Sequence, residues 1–198
     1  YLQPILSLPD RQLVGFEALI RWNHPEKGLL TPNVFVPVAE RTNVVQLLDR
    51  MMLEKVCEIA PYLNKALGNH GRKLFLSVNL SGINFATEDV VKTVSDILES
   101  SHADRDCLRL VITESALIGD PDLAENVLHR LKALGLTIAL DDFGTGYSSL
   151  SYLHRFPIDI IKIDRSFIAK LHTNRKTIDI VRAIVGRAKN FRLAVVAE

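Results

Sequence analysis

Six oxygen-bearing side chains recur along the chain in the same kind of position, at or near the end of a short apolar segment. They are Glu17, Asn79, Glu114, Asp141, Asp142 and Glu198. Carboxylate and amide oxygens suit hard cations such as Mg²⁺ or Mn²⁺, and this set needs no cysteine or histidine. A charge inside an apolar segment is costly unless it is paired or bound to a metal. The pattern therefore predicts a divalent-metal site.

Three further features point to chemistry at phosphorus. The adjacent Asp141 and Asp142 are suited to bridging two metal ions about 3.5–4 Å apart, the spacing used for in-line attack on a phosphoryl group. Lys162 would supply a fixed positive charge beside the attacking water or the phosphate. Arg21 follows Glu17 by four residues, so on a continuous strand it shares that residue's side and could hold a phosphate through its planar guanidinium.

Taken singly, most of these residues have an ordinary structural explanation as turn residues, helix caps or salt-bridge partners. Glu17 could pair with Arg21 at the edge of a strand, and Lys162 could extend its ammonium group to water. The recurrence favours a site, because several unrelated accidents at the same edge of one sheet are improbable.

The elements that must position these residues are strands alternating with helices, which is typical of parallel βαβ units. Strands are predicted at 2–6, 13–22, 74–80, 108–113, 137–140, 158–163 and 193–197. Helices are predicted at about 44–67, 88–100, 121–134, 148–153 and 177–191, and another begins at Thr31–Pro32. Parallel α/β barrels carry their functional groups at the C-terminal ends of the strands, so this arrangement gathers the polar residues at one rim.

Length and composition limit the remaining possibilities. Seven strands in 198 residues fall short of the closed eight-unit barrel, which takes about 250 residues, so we expect one domain over residues 1–198, a barrel that lacks its C-terminal part. A net charge of +1 gives no basic footprint for polymeric nucleic acid, and no apolar run reaches the ~18 residues of a membrane span. Cys57 and Cys107 lack metal-binding spacing and are expected to be buried thiols.

The motifs, in their order, resemble those of EAL domains, the bacterial cyclic di-GMP phosphodiesterases. Glu17-Ala18-Leu19 matches the triplet that names the family. The other matching motifs are QPI at 3–5, SVNLS at 77–81, TES at 113–115, DDFGTGYSSL at 141–150, KID at 162–164 and VAE at 196–198. The resemblance covers the whole chain.

This resemblance implies a modified eight-stranded α/β barrel whose first strand is antiparallel, and hydrolysis of cyclic di-GMP to linear pGpG with Mg²⁺ or Mn²⁺, as two ions. By motif position it implies that the metal ligands are Glu17, Asn79, Glu114, Asp141, Asp142 and Glu198. It implies catalytic roles for Glu17, Lys162 and Asp142, with Lys162 assisting the nucleophilic water. The implied substrate contacts are Gln3, Leu19, Arg21 and Asp164.

The resemblance also implies partners and a location. We expect a homodimer, a loop over 142–150 that couples substrate, metal and dimer interface, a fused sensory or GGDEF-type domain, and a cytoplasmic domain without membrane contact. Two alternatives stay open. One is a catalytically silent cyclic di-GMP receptor or signalling module, and the other is an unrelated metal-dependent barrel enzyme acting on another phosphoester.

Three departures from the family pattern bear on this prediction. Val111 stands where many members carry a second glutamate, three residues before Glu114. Asn43 replaces a usual glycine. The chain ends at Glu198, so the motifs that follow it in the family, and at least one strand, are expected to be missing from it.

Overall fold

The computed structural model describes residues 1–67, 73–85, 89–101, 103–144 and 154–198. In that part of the chain the strands are β1 (Leu2–Leu6), β2 (Leu13–Ala18), β3 (Trp22–His24), β4 (Gly28–Leu30), β5 (Phe75–Leu80), β6 (Leu108–Thr113), β7 (Thr137–Phe143), β8 (Ile160–Ile163) and β9 (Ala194–Ala197). The helices are α1 (Pro32–Arg41), α2 (Val45–Leu67), α3 (Gly82–Phe85), α4 (Asp89–Ser101), α5 (Glu114–Ile118), α6 (Pro121–Ala133), α7 (Arg165–Ile168) and α8 (Arg175–Asn190). The helix predicted at 148–153 lies outside the described residues.

Seven strands form one sheet in the order β1-β2-β5-β6-β7-β8-β9, and β3 pairs with β4 in a separate two-stranded hairpin. β1 is antiparallel to β2, and each later neighbour pair is parallel. The order follows the chain, as expected when each crossover passes over the same face of a curling sheet. The predicted incomplete barrel with an antiparallel first strand is therefore confirmed.

The two faces of the sheet have different partners because side chains alternate along a strand. Outward-facing residues of the central strands, such as Leu76, Leu110 and Ile138, pack against the helices in the main core. Inward-facing residues form a small apolar layer inside the curl, made by Val111, Ala139 and Ile160 with Val196 packed against them. Val111, the departure from the family pattern, is thus an inner core residue.

The interior also holds a charge below this apolar layer. The guanidinium carbon of Arg109 lies 3.1 Å from the centre of the Phe75 ring. Burial lowers the pKa of Arg109 to about 10, although the charge of Asp159 acts in the opposite direction. Arg109 begins the inward-facing row of β6 that ends at Thr113, so it lies at the opposite end of the strands from the predicted rim.

One irregularity breaks the regular pairing of β7 with β8. Leu140 pairs with Ile161, but the next pair is Phe143 with Ile163, so β7 carries an extra residue. Asp142 lies in this bulge and has a φ of 54°. Bulges bend a strand and redirect its side chains, and they are common beside active sites.

The second predicted strand is too long. β2 ends at Ala18, because the peptide of Leu19 closes the ladder by exchanging two hydrogen bonds with Tyr1, over 2.8 and 3.1 Å. The chain then enters the β3–β4 hairpin, which the sequence did not predict. Arg21 therefore lies beyond the strand, and the expectation that it continues the Glu17 side of β2 is wrong.

Helix α2 runs through Pro61 without a break and spans 23 residues. A proline inside a helix removes one hydrogen bond. Leu53, Val56 and Ala60 before the proline are buried in the core, and Leu63 after it packs against that core. This continuous apolar face keeps the two halves of the helix in line.

Three smaller observations complete the description of the fold. Cys57 and Cys107 are buried and unpaired, as predicted. Asn43, in the place of a glycine, has a φ of 56°, a left-handed conformation that asparagine tolerates better than most residues. Among the described residues, no helix has both the length and the apolarity to cross a membrane.

Candidate metal centre

The curl of the sheet gathers side chains from distant strands at one rim. Glu17 is near the end of β2, Asp141 is in β7, and Glu198 directly follows β9. One carboxylate oxygen from each of these residues lies within 4.8 Å of the other two. No other group of three acidic, histidine or cysteine side chains this close occurs in the part of the chain that the structure describes. We call Glu17, Asp141, Glu198 and Lys162 the rim cluster.

Lys162 lies at the centre of the rim cluster. Its Nζ is 2.9 Å from Glu17 Oε2, 2.8 Å from Asp141 Oδ2 and 2.5 Å from Glu198 Oε1. Its side chain is only 3% exposed. The lysine therefore does not extend to water, and that ordinary explanation is wrong.

The electrostatics of the rim cluster follow from this arrangement. Burial lowers the pKa of Lys162, but the charges of Asp141 and Glu17 and the hydrogen bonds to Asp141 and Glu198 outweigh it, and the net pKa is raised. Burial raises the pKa of Glu198, and the nearby charges of Asp141 and Glu17 raise it further, against the opposing effect of Lys162. Lys162 is thus held in its charged form.

Asn79 joins the rim cluster through a hydrogen bond. Its Nδ2 donates to Glu17 Oε1 over 2.9 Å, from the neighbouring strand β5. Glu17 therefore has one oxygen on Asn79 and the other on Lys162. The alternative pairing of Glu17 with Arg21 is therefore wrong, and Arg21 instead donates to the carbonyl of Ile20 over 2.8 Å.

Glu114 is brought to the same rim but outside the close group of three carboxylates. It is buried at the start of α5, directly after β6, and its Oε2 accepts a hydrogen bond from the backbone N–H of Gly144 over 3.4 Å. That contact links the end of β6 to the end of β7. Glu114 therefore lies between Asn79 and Asp141 in the order of the strands.

Asp142 is more exposed than Asp141. Its backbone N–H donates to Asp141 Oδ1 over 2.8 Å. Burial raises the pKa of Asp142, the charges of Asp141 and Asp164 raise it further, and Lys162 lowers it. The bulge therefore keeps both neighbouring aspartates within electrostatic range of the rim.

The four predicted substrate contacts lie on, or within three residues after, strands of this sheet. Gln3 on β1 is paired directly with Glu17, so both side chains are on the same face of the sheet. The guanidinium of Arg21 lies 5.8 Å from the centre of the Tyr1 ring. Leu19 lines a cavity of about 330 Å³ that also reaches Asn79. Asp164 caps α7 and accepts a hydrogen bond from the N–H of Ser166 over 2.9 Å.

One group beside the rim was missed by the sequence interpretation. Asp49 of α2 accepts hydrogen bonds from the backbone and side chain of Ser81 and from Asn84. Its signal was weak, because an aspartate on an amphipathic helix is usually solvated. Its position on the helix could have identified it. Asp49 directly follows Leu48 and precedes the buried Leu53 by four residues, so it flanks the apolar stripe.

The rim cluster fits a divalent cation by its chemistry. Its donors are carboxylate oxygens, and Asn79 and Glu114 add an amide and a further carboxylate at the same rim. When all its groups are ionised, the cluster has three negative charges and one positive charge, which leaves an excess of two negative charges. Mg²⁺ and Mn²⁺ prefer such oxygen donors, and ligation would relieve the repulsion among them.

Known proteins resemble this chain over its whole length. The family described as "EAL domain" matches residues 1–198. The chain is 39% identical over its full length to the cyclic di-GMP phosphodiesterase NbdA of Pseudomonas aeruginosa. It is 38% identical over its full length to the bifunctional diguanylate cyclase/cyclic di-GMP phosphodiesterase MucR of the same organism. It spans 25% and 28% of those two proteins, respectively.

A solved structure supports the same fold. The MucR phosphodiesterase in complex with c-di-GMP superimposes with a TM-score of 0.91 at 38% identity. The match covers 99% of this chain and 78% of that one. The described strands and helices therefore have their counterparts in a structure that binds this dinucleotide.

Proposed function

The chain belongs to the EAL domain family, and from this premise we propose that it hydrolyses cyclic di-GMP to linear pGpG in a reaction that requires Mg²⁺ or Mn²⁺. The observation that carries the proposal is the contact of one buried lysine with three carboxylates from three strands, all within 2.9 Å. A purely structural ion pair needs one partner, whereas this arrangement keeps an excess of acid at a rim. The two relatives named as cyclic di-GMP phosphodiesterases support the same reaction.

The proposed metal ligands are the oxygen donors of the rim. They are Glu17, Asn79, Glu114, Asp141, Asp142 and Glu198. The divalent ions, which we propose to be two, would lower the pKa of bound water and stabilise charge on the phosphate. The adjacent Asp141 and Asp142 in the bulge of β7 support a site in which the two ions share ligands.

Lys162 has a defined role in this proposal. Its ammonium group is held in place by Glu17, Asp141 and Glu198, so its positive charge is preorganised and needs no rearrangement during the reaction. We propose that this charge orients the nucleophilic water and stabilises the negative charge that develops on the phosphoryl oxygens. Glu17 and Asp142 complete the proposed catalytic set.

The chemistry is an addition of water across one phosphodiester. A new bond forms between the water oxygen and phosphorus, and the bond from phosphorus to one ribose oxygen breaks. The ribose oxygen leaves as a hydroxyl group and the phosphate remains as a monoester, so the ring opens at a single position. We propose that Gln3, Leu19, Arg21 and Asp164 hold the dinucleotide for this step.

We also propose that the chain acts as one domain of a larger cytoplasmic protein with a sensory or GGDEF-type domain, and that it dimerises. The chain spans about a quarter of the length of NbdA and MucR, and MucR is named as bifunctional. The dimer is a prediction from the family resemblance, and most of the loop at 142–150 lies outside the described residues.

The test is turnover of cyclic di-GMP by the protein with Mg²⁺, with Mn²⁺ and with chelator, with pGpG separated from substrate by chromatography. Metal-dependent formation of pGpG would support the proposal. Binding of cyclic di-GMP without turnover at any metal concentration would contradict it and favour a receptor. Neither binding nor turnover would contradict both functions.

A further inference from the structure

Asp49 is a carboxylate that the proposed reaction does not use. It is half-buried in the second turn of α2. Its Oδ2 accepts hydrogen bonds from the Ser81 backbone N–H over 2.8 Å, from Ser81 Oγ over 2.7 Å, and from Asn84 Nδ2. Three donors on one oxygen fasten α2 to the turn after β5 and to α3.

These hydrogen bonds offset part of the cost of placing the carboxylate there. Burial raises the pKa of Asp49 and the charge of Glu40 raises it further, whereas the hydrogen bonds from Ser81 and Asn84 lower it, and the net pKa is raised. Charge-assisted hydrogen bonds of this kind are stronger than neutral ones. The turn is therefore held by more than ordinary packing.

The fastened turn lies between two of the proposed metal ligands. Ser81 follows Asn79 by two residues, and Asn79 itself contacts Glu17. On the other side, the turn packs closely on α5, since a Cβ added at Gly82 would lie 3.1 Å from the Cβ of Ala116. Helix α5 begins with Glu114.

Asn79 needs this support from its backbone. Its side chain is exposed and is held by its hydrogen bond to Glu17 rather than by packing, so its position depends on where β5 ends. Asp49 fixes that end from the side of α2. A side chain that acts in this way through its neighbours affects ligand geometry without touching the ligand site.

We infer that Asp49 is a positioning residue of the metal centre, which holds the turn after β5 so that Asn79 and Glu114 keep the places that ligation requires. The inference rests on the proposed function, because it assumes that these residues bind a divalent cation. Residues that orient metal ligands are known to change metal affinity by about 10–100-fold when they are removed.

The chain offers a matched control on the same helix and the same strand. Near the other end of α2, Asn64 Nδ2 donates to the carbonyl of Leu74 over 2.9 Å, and Asn64 Oδ1 accepts from the N–H of Leu74 over 2.6 Å. Leu74 directly precedes β5, so Asn64 fastens the beginning of the strand and Asp49 its end. Loss of either anchor loosens α2 from β5, but only one anchor is beside the ligands.

The experiment compares Mn²⁺ binding, without substrate, in the protein and in Asp49→Ala, Asp49→Asn and Asn64→Ala, by titration calorimetry and by the electron paramagnetic resonance of unbound Mn²⁺. Thermal unfolding in chelator reports the structural cost of each change. Asp49→Ala is expected to raise the Kd for Mn²⁺ about tenfold. Asp49→Asn retains an acceptor oxygen and should have a smaller effect, and Asn64→Ala should lower the Tm with little change in Kd.

The outcomes separate the inference from the function on which it rests. An unchanged Kd in Asp49→Ala, or an equal rise in Asn64→Ala, would overturn the inference and leave the proposed function standing. Failure of the parent protein to bind Mn²⁺ would contradict the proposed function and overturn the inference with it. If Asp49→Ala does not fold, Ser81→Ala, which removes only the side-chain donor, decides the matter by a rise in Kd or its absence.

Discussion

Glu17 and Lys162 are separated by three strands in the order of the sheet, yet Glu17 Oε2 and Lys162 Nζ lie 2.9 Å apart. Only a sheet that curls into a barrel wall can bring β2 and β8 this close. The contact crosses the interior of the curl, so the rim cluster and the barrel shape depend on each other. A change in the charge of the rim therefore acts on the stability of the whole sheet.

Replacement of Lys162 by methionine would leave three carboxylates close together without their cation. Removal of one partner from a buried ion pair costs about 3–5 kcal/mol. We therefore expect the free energy of unfolding of Lys162→Met, measured by urea denaturation in chelator, to fall by about that amount. As a control, Lys55→Met removes an exposed partner of Glu58 and should change the free energy by at most about 1 kcal/mol. Equal stability of Lys162→Met and the parent would contradict the central role of the lysine.

Replacement of Glu17 by glutamine keeps the shape of the side chain and removes its charge. We expect loss of metal-dependent turnover with unchanged circular dichroism. In the parent protein, metal at about a hundred times its Kd should stabilise by about 2.7 kcal/mol, which corresponds to a rise in Tm of roughly 5–10 °C. This rise should be much smaller in Glu17→Gln, and Glu54→Gln, in an exposed pair with Arg50, should match the parent. Full turnover by Glu17→Gln would remove Glu17 from the proposed ligands.

The raised pKa of Asp142 predicts a pH dependence of stability. Because burial and the charges of Asp141 and Asp164 disfavour the ionised form in the folded state, the folded protein holds this proton at higher pH than the unfolded chain does. Stability is then lost as the pH rises from the ordinary pKa of 3.8 through the folded value. Asp142→Asn, which also tolerates a φ of 54°, should therefore gain stability relative to the parent as the pH rises from 3.5 to neutrality in chelator.

Asp164 is expected to show the opposite pH dependence of stability in the same experiment. Its pKa is lowered by hydrogen bonds from Ser166 and Arg165. Its stabilising effect is present above the ordinary pKa and is lost as the pH falls through the folded value. Asp164→Asn should thus lose stability relative to the parent as the pH rises. If both variants followed the same trend, the assigned electrostatics of the rim would be wrong.

Gly15 allows β2 and β5 to approach each other beneath Glu17. A Cβ at this position would lie 2.5 Å from the carbonyl oxygen of Phe75. Overpacking of this kind costs about 1–3 kcal/mol, so Gly15→Ala should lower the free energy of unfolding by that amount. Gly186→Ala is the control, because a Cβ there meets nothing within 4 Å in the interior of α8 and should stabilise by about 0.5–1 kcal/mol. A neutral Gly15→Ala would show that the strands have room to separate.

The sequence predicted the parts of the fold that local patterns determine. β1 and β6 have the predicted bounds, and the order of strands follows from alternation of strand and helix. The end of β2 was missed because Tyr1, which closes the ladder at Leu19, is distant in sequence. The β3–β4 hairpin was missed because three-residue strands have too few residues to show alternation.

The site was predictable by residue type but not by contact. Strand ends and oxygen chemistry gave the rim acids, whereas the closeness of Glu17, Asp141 and Glu198 depends on the curl of the sheet. The central position of Lys162 depends on the burial of its side chain, and no local sequence pattern predicts that burial. The anchoring of Ser81 by Asp49 joins residues 32 positions apart, a distance beyond the range of any spacing rule.

The extra residue in β7 also reverses which positions of that strand, odd-numbered or even-numbered, face the inside of the curl. Up to Asp141, odd-numbered positions face the inside of the curl, as Ala139 does in the inner layer. After Asp142, the odd-numbered Phe143 belongs to the outer core and pairs with the outward-facing Ile163. Deletion of one residue here would exchange inside for outside, so either an acid would enter the outer core or Phe143 would enter the rim. The exact number of residues in β7 therefore matters, and insertions and deletions there should be far less tolerated than substitutions.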